Sequence, residues 1–200
     1  MTRIAIFASG SGSNAENIIK YFQNSGSIRV SKVYCNKKNA GVFERCQRLN
    51  VPCVWFSREA FYDSSRVLHD VQLHADFVVL AGFLWKIPAN FIHVFAHKMV
   101  NIHPALLPKY GGKGMYGMHV HRAVKENMET ETGITIHFVN EHYDEGATIF
   151  QAKTAIDPND SPEDIAKKIH ELEYKHFPRI IEEVVKEGFD KLSLTNSSKE

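Results

Sequence analysis

An α/β fold, an open and mostly parallel twisted sheet with helices on both faces, is predicted by three features of this sequence. Short apolar runs alternate with stretches of helical periodicity through the first hundred residues. The runs carry few polar residues, as strands do when both faces of a parallel sheet are covered. After about residue 110 the spacing changes to two strand-like runs joined by a polar loop, which adds an antiparallel piece near the C-terminal part.

The elements follow in order. Ile4 to Ala8 reads as a buried first strand, broken by Ser9-Gly10-Ser11-Gly12-Ser13-Asn14. Ala15 to Phe22 places Ile18, Ile19 and Phe22 at helical spacing. Arg29 to Tyr34 is a second strand, Gly41 to Leu49 a helix, and Val51 to Phe56 a short third strand. Arg58 to His74 carries Phe61, Val67, Leu68 and Val71 and reads as one helix. Phe77 to Leu80 is a fourth strand closed by Ala81-Gly82, and Pro88 to Phe95 a short helix. Met99 to His103 is the fifth strand, ended by Pro104 because proline cannot donate to a ladder. Gly111 to Gly117 is a glycine-rich loop and His119 to Asn127 a short helix. Gly133 to Val139 and Thr148 to Ile156 are the two later strands, with the polar loop Asn140 to Gly146 between them. Asp160-Ser161-Pro162-Glu163-Asp164 reads as a helix start, with a cap residue, proline in the first turn and acids at the positive end of the dipole. That helix should run to about Lys186, before Gly188. One domain, 1–190, and a polar tail, 191–200, are expected.

Composition narrows the function. The net charge of +1 gives no support to a nucleic-acid partner, and small-molecule substrates are expected. Cys35, Cys46 and Cys53 form no Cys-x-x-Cys pair and read as free thiols of a cytoplasmic protein. The apolar run Phe77 to Trp85 is far shorter than the roughly 18 residues of a membrane span.

The chain is organised around Asn101-Ile102-His103. In a strand, residues two apart share a face, so the Asn101 amide and the His103 imidazole point together while Ile102 is buried opposite. Ligands bind at the carboxyl ends of strands in open α/β sheets. An amide donor beside a group titrating near neutrality suits a reaction that develops an oxyanion and moves a proton. A strand-end histidine tied to backbone, with Asn101 capping a turn, is the plainer alternative. Asp144 would orient His103, raise its pKa or hold a water; as part of Asp144-Glu145-Gly146 it also fits an ordinary turn.

Strand, Gly10-x-Gly12, then helix is a geometry in which backbone N–H groups and a helix N-terminus hold a phosphate. Ser13 and Asn14 add side-chain donors suited to a monophosphate. A side chain at Gly12 should fill the space that the phosphate needs, so Gly12→Asp should mainly weaken phosphate binding. The turn also fits a dinucleotide fingerprint, but the second strand ends in Asn36-Lys37-Lys38 rather than an acid, which leaves an NADP site as an alternative. A tight strand-to-helix turn is the structural alternative. Phe83 to Pro88, just past a strand end, walls a pocket for a flat ring or begins a buried helix. His119 and His121 would diverge on a helix, no His-Glu-x-x-His is present, and no metal is expected.

Together these motifs resemble the phosphoribosylglycinamide formyltransferase family of purine biosynthesis, in order over almost the whole chain. Ser9 to Asn14 is similar to its phosphate loop, Leu80-Ala81-Gly82-Phe83 to its strand and folate wall, and Asn101 to Pro108 to the signature of folate-dependent formyltransferases. Asp144-Glu145-Gly146 matches its Asp-x-Gly, and Glu173 falls where it holds the ribose. Trp85 stands where the family pattern has arginine, His170 where it has glutamine, and Lys113 to Gly117 lengthens the loop after Pro108. Methionyl-tRNA formyltransferase would bring an extra C-terminal domain and formyltetrahydrofolate deformylase an N-terminal regulatory one, and neither is expected here.

The resemblance implies a Rossmann-like formyltransferase fold and transfer of formyl from 10-formyltetrahydrofolate, as co-substrate, to the amine of glycinamide ribonucleotide. It implies Asn101, a protonated His103 and Asp144 as the catalytic group, Asp144 keeping His103 charged and holding a proton-carrying water. Ser11, Gly12, Ser13 and Asn14 would hold the phosphate and Glu173 the ribose. Arg58, Leu84, Trp85, Lys86, Ile87, Asn101, Asn140, Glu141, His142 and Tyr143 are the folate-side candidates. A formyltetrahydrofolate hydrolase, an NADP-binding oxidoreductase and a non-catalytic folate- or nucleotide-binding module are the other readings. A monomer or homodimer is expected, without nucleic acid or membrane.

Overall fold

The computed structural model describes residues 1–188, in two compact units that meet in sequence between Val100 and Asn101. The expected tail, 191–200, lies outside the described residues. In the first unit β1 (Thr2–Ala8), β2 (Ile28–Cys35), β3 (Cys53–Trp55) and β4 (Phe77–Leu80) are ordered β3-β2-β1-β4. All of these pairings are parallel. Ile4 to Ala8 and Phe77 to Val79 are fully buried, which is why these runs show no polar alternation. Parallel neighbours need crossovers. These are made by α1 (Ser13–Phe22), α2 (Val42–Arg48), α3 (Arg58–Tyr62) and α4 (Arg66–His74). α5 (Ala89–Val94) leads from β4 into β5 (Met99–His103).

The expected helix from Arg58 to His74 is two helices. Ser57 caps α3 by accepting the Ala60 N–H at 3.1 Å, and the Asp63 N–H closes its last turn on the Glu59 carbonyl. Ser64 Oγ then donates to the Ala60 carbonyl at 3.3 Å. Asp63-Ser64-Ser65 puts three side chains that compete for backbone groups in succession, and helices break at such runs. β3 is shorter than expected, beginning only after Pro52.

The second unit begins within β5 at Asn101 and adds α6 (Met118–Glu126), β6 (Glu131–Phe138), β7 (Thr148–Ala155) and α7 (Pro162–Glu187). β6 stands between β5 and β7 and is antiparallel to β7. The parallel frame and the antiparallel addition are both as expected. α7 opens on a full capping box: Ser161 Oγ accepts the Asp164 N–H, and Asp164 accepts the Ser161 N–H. Its apolar face, Ile165, Ile169, Phe177, Ile180, Ile181 and Val184, is buried. Each such side chain contributes about 1.5–3 kcal/mol on burial.

β5 stops at His103 and Pro104 follows, as proline dictates. Thr135 of β6 then holds the outgoing chain. Its Oγ1 donates to the Ala105 carbonyl at 2.7 Å and accepts the Leu107 N–H at 3.0 Å and the Gln151 amide at 2.9 Å. The chain after the strand end is thereby fixed to its neighbour, and with it the residues that follow His103.

Candidate active site

The second unit brings Asn101, His103 and Asp144 together around a fourth residue, His137. His137 Nδ1–H donates to the Phe138 carbonyl at 2.7 Å, so its Nε2 is a bare acceptor. The Asn101 amide nitrogen donates to that Nε2 at 3.1 Å, which fixes the amide's orientation and leaves its second N–H for another acceptor. His103 is 3% exposed. Its Nε2–H donates to the Tyr110 carbonyl at 2.7 Å, which leaves Nδ1 bare, 3.5 Å from Asp144 Oδ2. Asp144 Oδ1 lies 3.7 Å from His137 Nε2, and Oδ2 accepts the Gly112 N–H at 2.9 Å. Two imidazole nitrogens, each bare when its ring is neutral, thus face one carboxylate.

The electrostatics correct one expectation. Burial pushes the His103 pKa below its ordinary 6.5, and this outweighs the upward pull of Asp144 and of the Tyr110 carbonyl. His103 thus takes up a proton less readily than a free imidazole, whereas the expectation has Asp144 keep it charged. Asp144 keeps a carboxyl pKa below the usual range. Burial opposes its ionisation, but the pull of His137 and His103 when those rings carry a proton, together with the Gly112 N–H, outweighs that cost. Asp144 has φ 58, a left-handed backbone that aspartate tolerates better than most residues. Its side chain is largely buried, so the Asp-x-Gly turn and the placement of the carboxylate are one feature.

His137 and the Tyr110 carbonyl were not among the candidate site residues. The signal for His137 was present: Gly133, Thr135 and His137 alternate with Ile134, Ile136 and Phe138, and polar residues on one face of a buried strand call for partners. A main-chain acceptor such as Tyr110 has no signature in side-chain chemistry.

Glu173 is 6% exposed and accepts from His170 Nδ1 at 2.9 Å, and that contact raises the His170 pKa. His121 is buried, its Nδ1 has no hydrogen-bond partner, and burial pushes its pKa to about 4. His119 instead stands outward against the Tyr116 ring at 5.2 Å, so the two diverge as a helix requires. Among the described residues no group of His, Cys, Asp or Glu is arranged to hold a metal. Asn140 makes a local turn, its Oδ1 accepting the His142 N–H and its Nδ2 donating to the Glu145 carbonyl, while Glu141, His142 and Tyr143 are exposed.

The glycine turn lies in the first unit. Gly12 is the N-cap of α1 with φ 77 and no side-chain cap bond, so the backbone N–H groups of the first turn are not taken by a capping side chain. Ser11 is exposed, and Ser13 and Asn14 are partly exposed. The Ser11 carbonyl accepts from Arg45 Nε at 2.8 Å, and Arg45, Arg48 and Lys20 surround Glu16, whose pKa falls to about 2. The expected effect of Gly12→Asp is corrected here. A Cβ at Gly12 would meet Val42 Cγ2 at 2.5 Å and Val42 Cα at 2.8 Å, and φ is left-handed, so this glycine is required by the fold as well.

The aromatic wall is also in the first unit. Trp85 packs against Phe56, Phe61, Tyr62 and Phe83, with ring centroids 5.9 to 6.3 Å apart. The Arg58 guanidinium lies over Tyr62 at 4.7 Å and Trp85 at 5.7 Å. Leu84 and Lys86 are exposed, the Leu84 N–H donating to Ser9 Oγ at 3.0 Å, whereas Ile87 is a buried core residue.

The described residues include no helix long and apolar enough to cross a membrane. Comparison with known proteins places this geometry in context. The formyl transferase family profile matches residues 2–181. The phosphoribosylglycinamide formyltransferase of Haemophilus influenzae is 36% identical over 188 residues, covering 90% of this chain and 86% of that protein. The chloroplastic phosphoribosylglycinamide formyltransferase of Arabidopsis thaliana is 37% identical over 193 residues, or 92% of this chain. The chain spans 66% of the length of that relative and 61% of the Vigna unguiculata one. Among solved structures, phosphoribosylglycinamide formyltransferase from Streptococcus pneumoniae has a TM-score of 0.82 at 28% identity, covering 92% of this chain and 99% of that one. The Bacillus halodurans enzyme has a TM-score of 0.81 at 32% identity, covering 92% and 95%. On these matches the chain belongs to the formyl transferase family.

Proposed function

We propose that this chain transfers the formyl group of 10-formyltetrahydrofolate to the amine of glycinamide ribonucleotide, the purine-biosynthetic step after which its relatives are named. The observation that carries the reading is the grouping of Asn101, His103 and Asp144 at a strand end in a formyl transferase. Acyl transfer to an amine puts negative charge on the carbonyl oxygen and requires a proton to move from the attacking nitrogen to the leaving one.

Asn101 has one amide N–H committed to His137, and its second N–H stabilises the developing oxyanion. His103 Nδ1, bare in this tautomer, takes the proton released by the attacking amine. The imidazolium so formed lies against the Asp144 carboxylate, which stabilises it until the proton passes to the leaving folate nitrogen. His103 thus becomes charged during the reaction rather than before it.

Ser11, Gly12, Ser13 and Asn14 hold the ribonucleotide phosphate at the α1 N-terminus, and Glu173 holds the ribose. Remote binding of this kind positions the amine. Arg58, Leu84, Trp85 and Lys86, with Ile87 supporting that wall from the core, and Asn101, Asn140, Glu141, His142 and Tyr143 are the folate-side residues of this reading. The proposed steps use no metal, and the free cysteines suit a cytoplasmic enzyme acting as monomer or homodimer.

The test is loss of the folate formyl group in purified protein, with and without the ribonucleotide. Loss only with ribonucleotide supports the reading. Equal loss in both arms means a hydrolase and overturns it.

A further inference from the structure

One short segment ties down both members of the His103–Asp144 pair. The Tyr110 carbonyl accepts from His103 Nε2 at 2.7 Å, and two residues on the Gly112 N–H donates to Asp144 Oδ2 at 2.9 Å. Gly111 between them is tightly enclosed, since a Cβ there would meet Leu107 Cδ2 at 2.6 Å. Tyr110 itself has φ 57, a left-handed conformation that a bulky residue adopts only under outside support. The support comes from its own side chain. Tyr110 Oη donates to Glu129 Oε1 at 2.9 Å, and Lys109 Nζ reaches the same oxygen at 3.0 Å. Glu129 is held in turn, its N–H donating to the Val124 carbonyl of α6 at 3.3 Å.

We propose that Lys109, Tyr110 and Glu129 form a latch that sets the tautomer of His103, with Tyr110 and Glu129 as positioning residues for the proton transfer. The catalytic part of this inference rests on the proposed role of His103 Nδ1 as proton acceptor. With the Tyr110 carbonyl in place, Nε2 carries the ring hydrogen and Nδ1 stays bare toward Asp144. If the carbonyl moved away, the neutral ring would gain by placing its hydrogen on Nδ1, where the Asp144 carboxylate accepts it. A ring in that tautomer cannot take a further proton at Nδ1. The charged and titratable groups acting on His103 include Asp144, Glu173, His137 and His121. Asp144, Glu173 and the Tyr110 carbonyl raise its pKa, while burial and His137 lower it. Loss of the carbonyl therefore moves that pKa further down.

The test uses the full chain with Tyr110→Phe, Glu129→Leu and Glu129→Gln. Tyr110→Phe and Glu129→Leu should each lower kcat about tenfold or more, with KM for both substrates within about twofold of the parent. The acid limb of the pH profile should move to lower pH in both. Glu129→Gln, which still accepts from the tyrosine hydroxyl, should keep kcat close to the parent. Nitrogen NMR of the labelled histidine ring supplies a readout independent of activity. The parent should show hydrogen on Nε2 of His103, and Tyr110→Phe should show a shift of hydrogen to Nδ1. An unchanged tautomer, or an unchanged kcat in Tyr110→Phe, overturns the latch. Because the tautomer is read without turnover, a failed latch is distinguished from a failed assignment of the reaction.

Discussion

Replacing Asp144 by asparagine removes one charge and little else. Asparagine tolerates the left-handed backbone at φ 58, and its Oδ1 can still accept the Gly112 N–H. Its amide nitrogen then takes the place of Asp144 Oδ1, 3.7 Å from His137 Nε2, so the loop should stay in place. The cost falls on the step that charges His103. At 3.5 Å, with an effective dielectric constant of about 20, the imidazolium–carboxylate attraction is about 5 kcal/mol. The amide dipole restores part of this, which leaves a loss of about 3–4 kcal/mol, or about 10²–10³ in kcat. KM for both substrates should stay within a few-fold, because the lost charge acts mainly when the proton moves. The acid limb should move down, since Asp144 is the largest upward influence on the His103 pKa. The ionised Asp144 stabilises the fold above its unfolded pKa and loses that contribution as pH falls through its lower folded value. Asparagine forfeits this, so a fall of about 1 kcal/mol in stability at neutral pH is expected. Steady-state kinetics of Asp144→Asn, His103→Ala and the double variant decide the matter. The double variant should be little worse than the worse single. Losses that multiply would show two independent groups and refute the coupling.

Gly12→Ala should lower stability measurably, because its Cβ collides with Val42 and its backbone is left-handed. A Cβ at Gly10 meets no atom within 4 Å, so Gly10→Asp should keep the fold while weakening ribonucleotide binding through charge repulsion, both measurable by thermal melts and calorimetry. His121, held neutral with a pKa of about 4, favours the fold fully at neutral pH, and that advantage is lost as pH falls from 6.5 toward 4. At about pH 5 the loss is about 2 kcal/mol, and His121→Leu should abolish this share of the acid sensitivity in urea titrations. The same pH slope in both proteins would contradict the assignment.

Much of this was legible in the sequence for physical reasons. Ile4 to Ala8 and Phe77 to Leu80 are buried on both faces, so hydrophobic runs marked them directly. Asn101, His103 and Asp144 were visible because a proline ends the strand and alternation sets their facing. The break at Asp63-Ser64-Ser65 was missed because apolar spacing continued across it. The downward shift of His103 is not legible in the sequence because desolvation depends on every surrounding residue, while the attraction of one carboxylate is easily anticipated. His137 stands out in the sequence only as a polar residue in an alternating strand, since its role lies in a cross-strand contact with Asn101. The support for Tyr110 depends on Glu129, 19 residues away, and no local pattern announces such a pairing.

The central claim is direct transfer of a formyl group to the ribonucleotide amine. It is tested most directly by following carbon label from the formyl group of 10-formyltetrahydrofolate in the presence of glycinamide ribonucleotide. The account predicts label on the glycinamide nitrogen in amounts equal to the tetrahydrofolate released, and little labelled formate. Label recovered as formate, with the ribonucleotide amine unmodified, would contradict it.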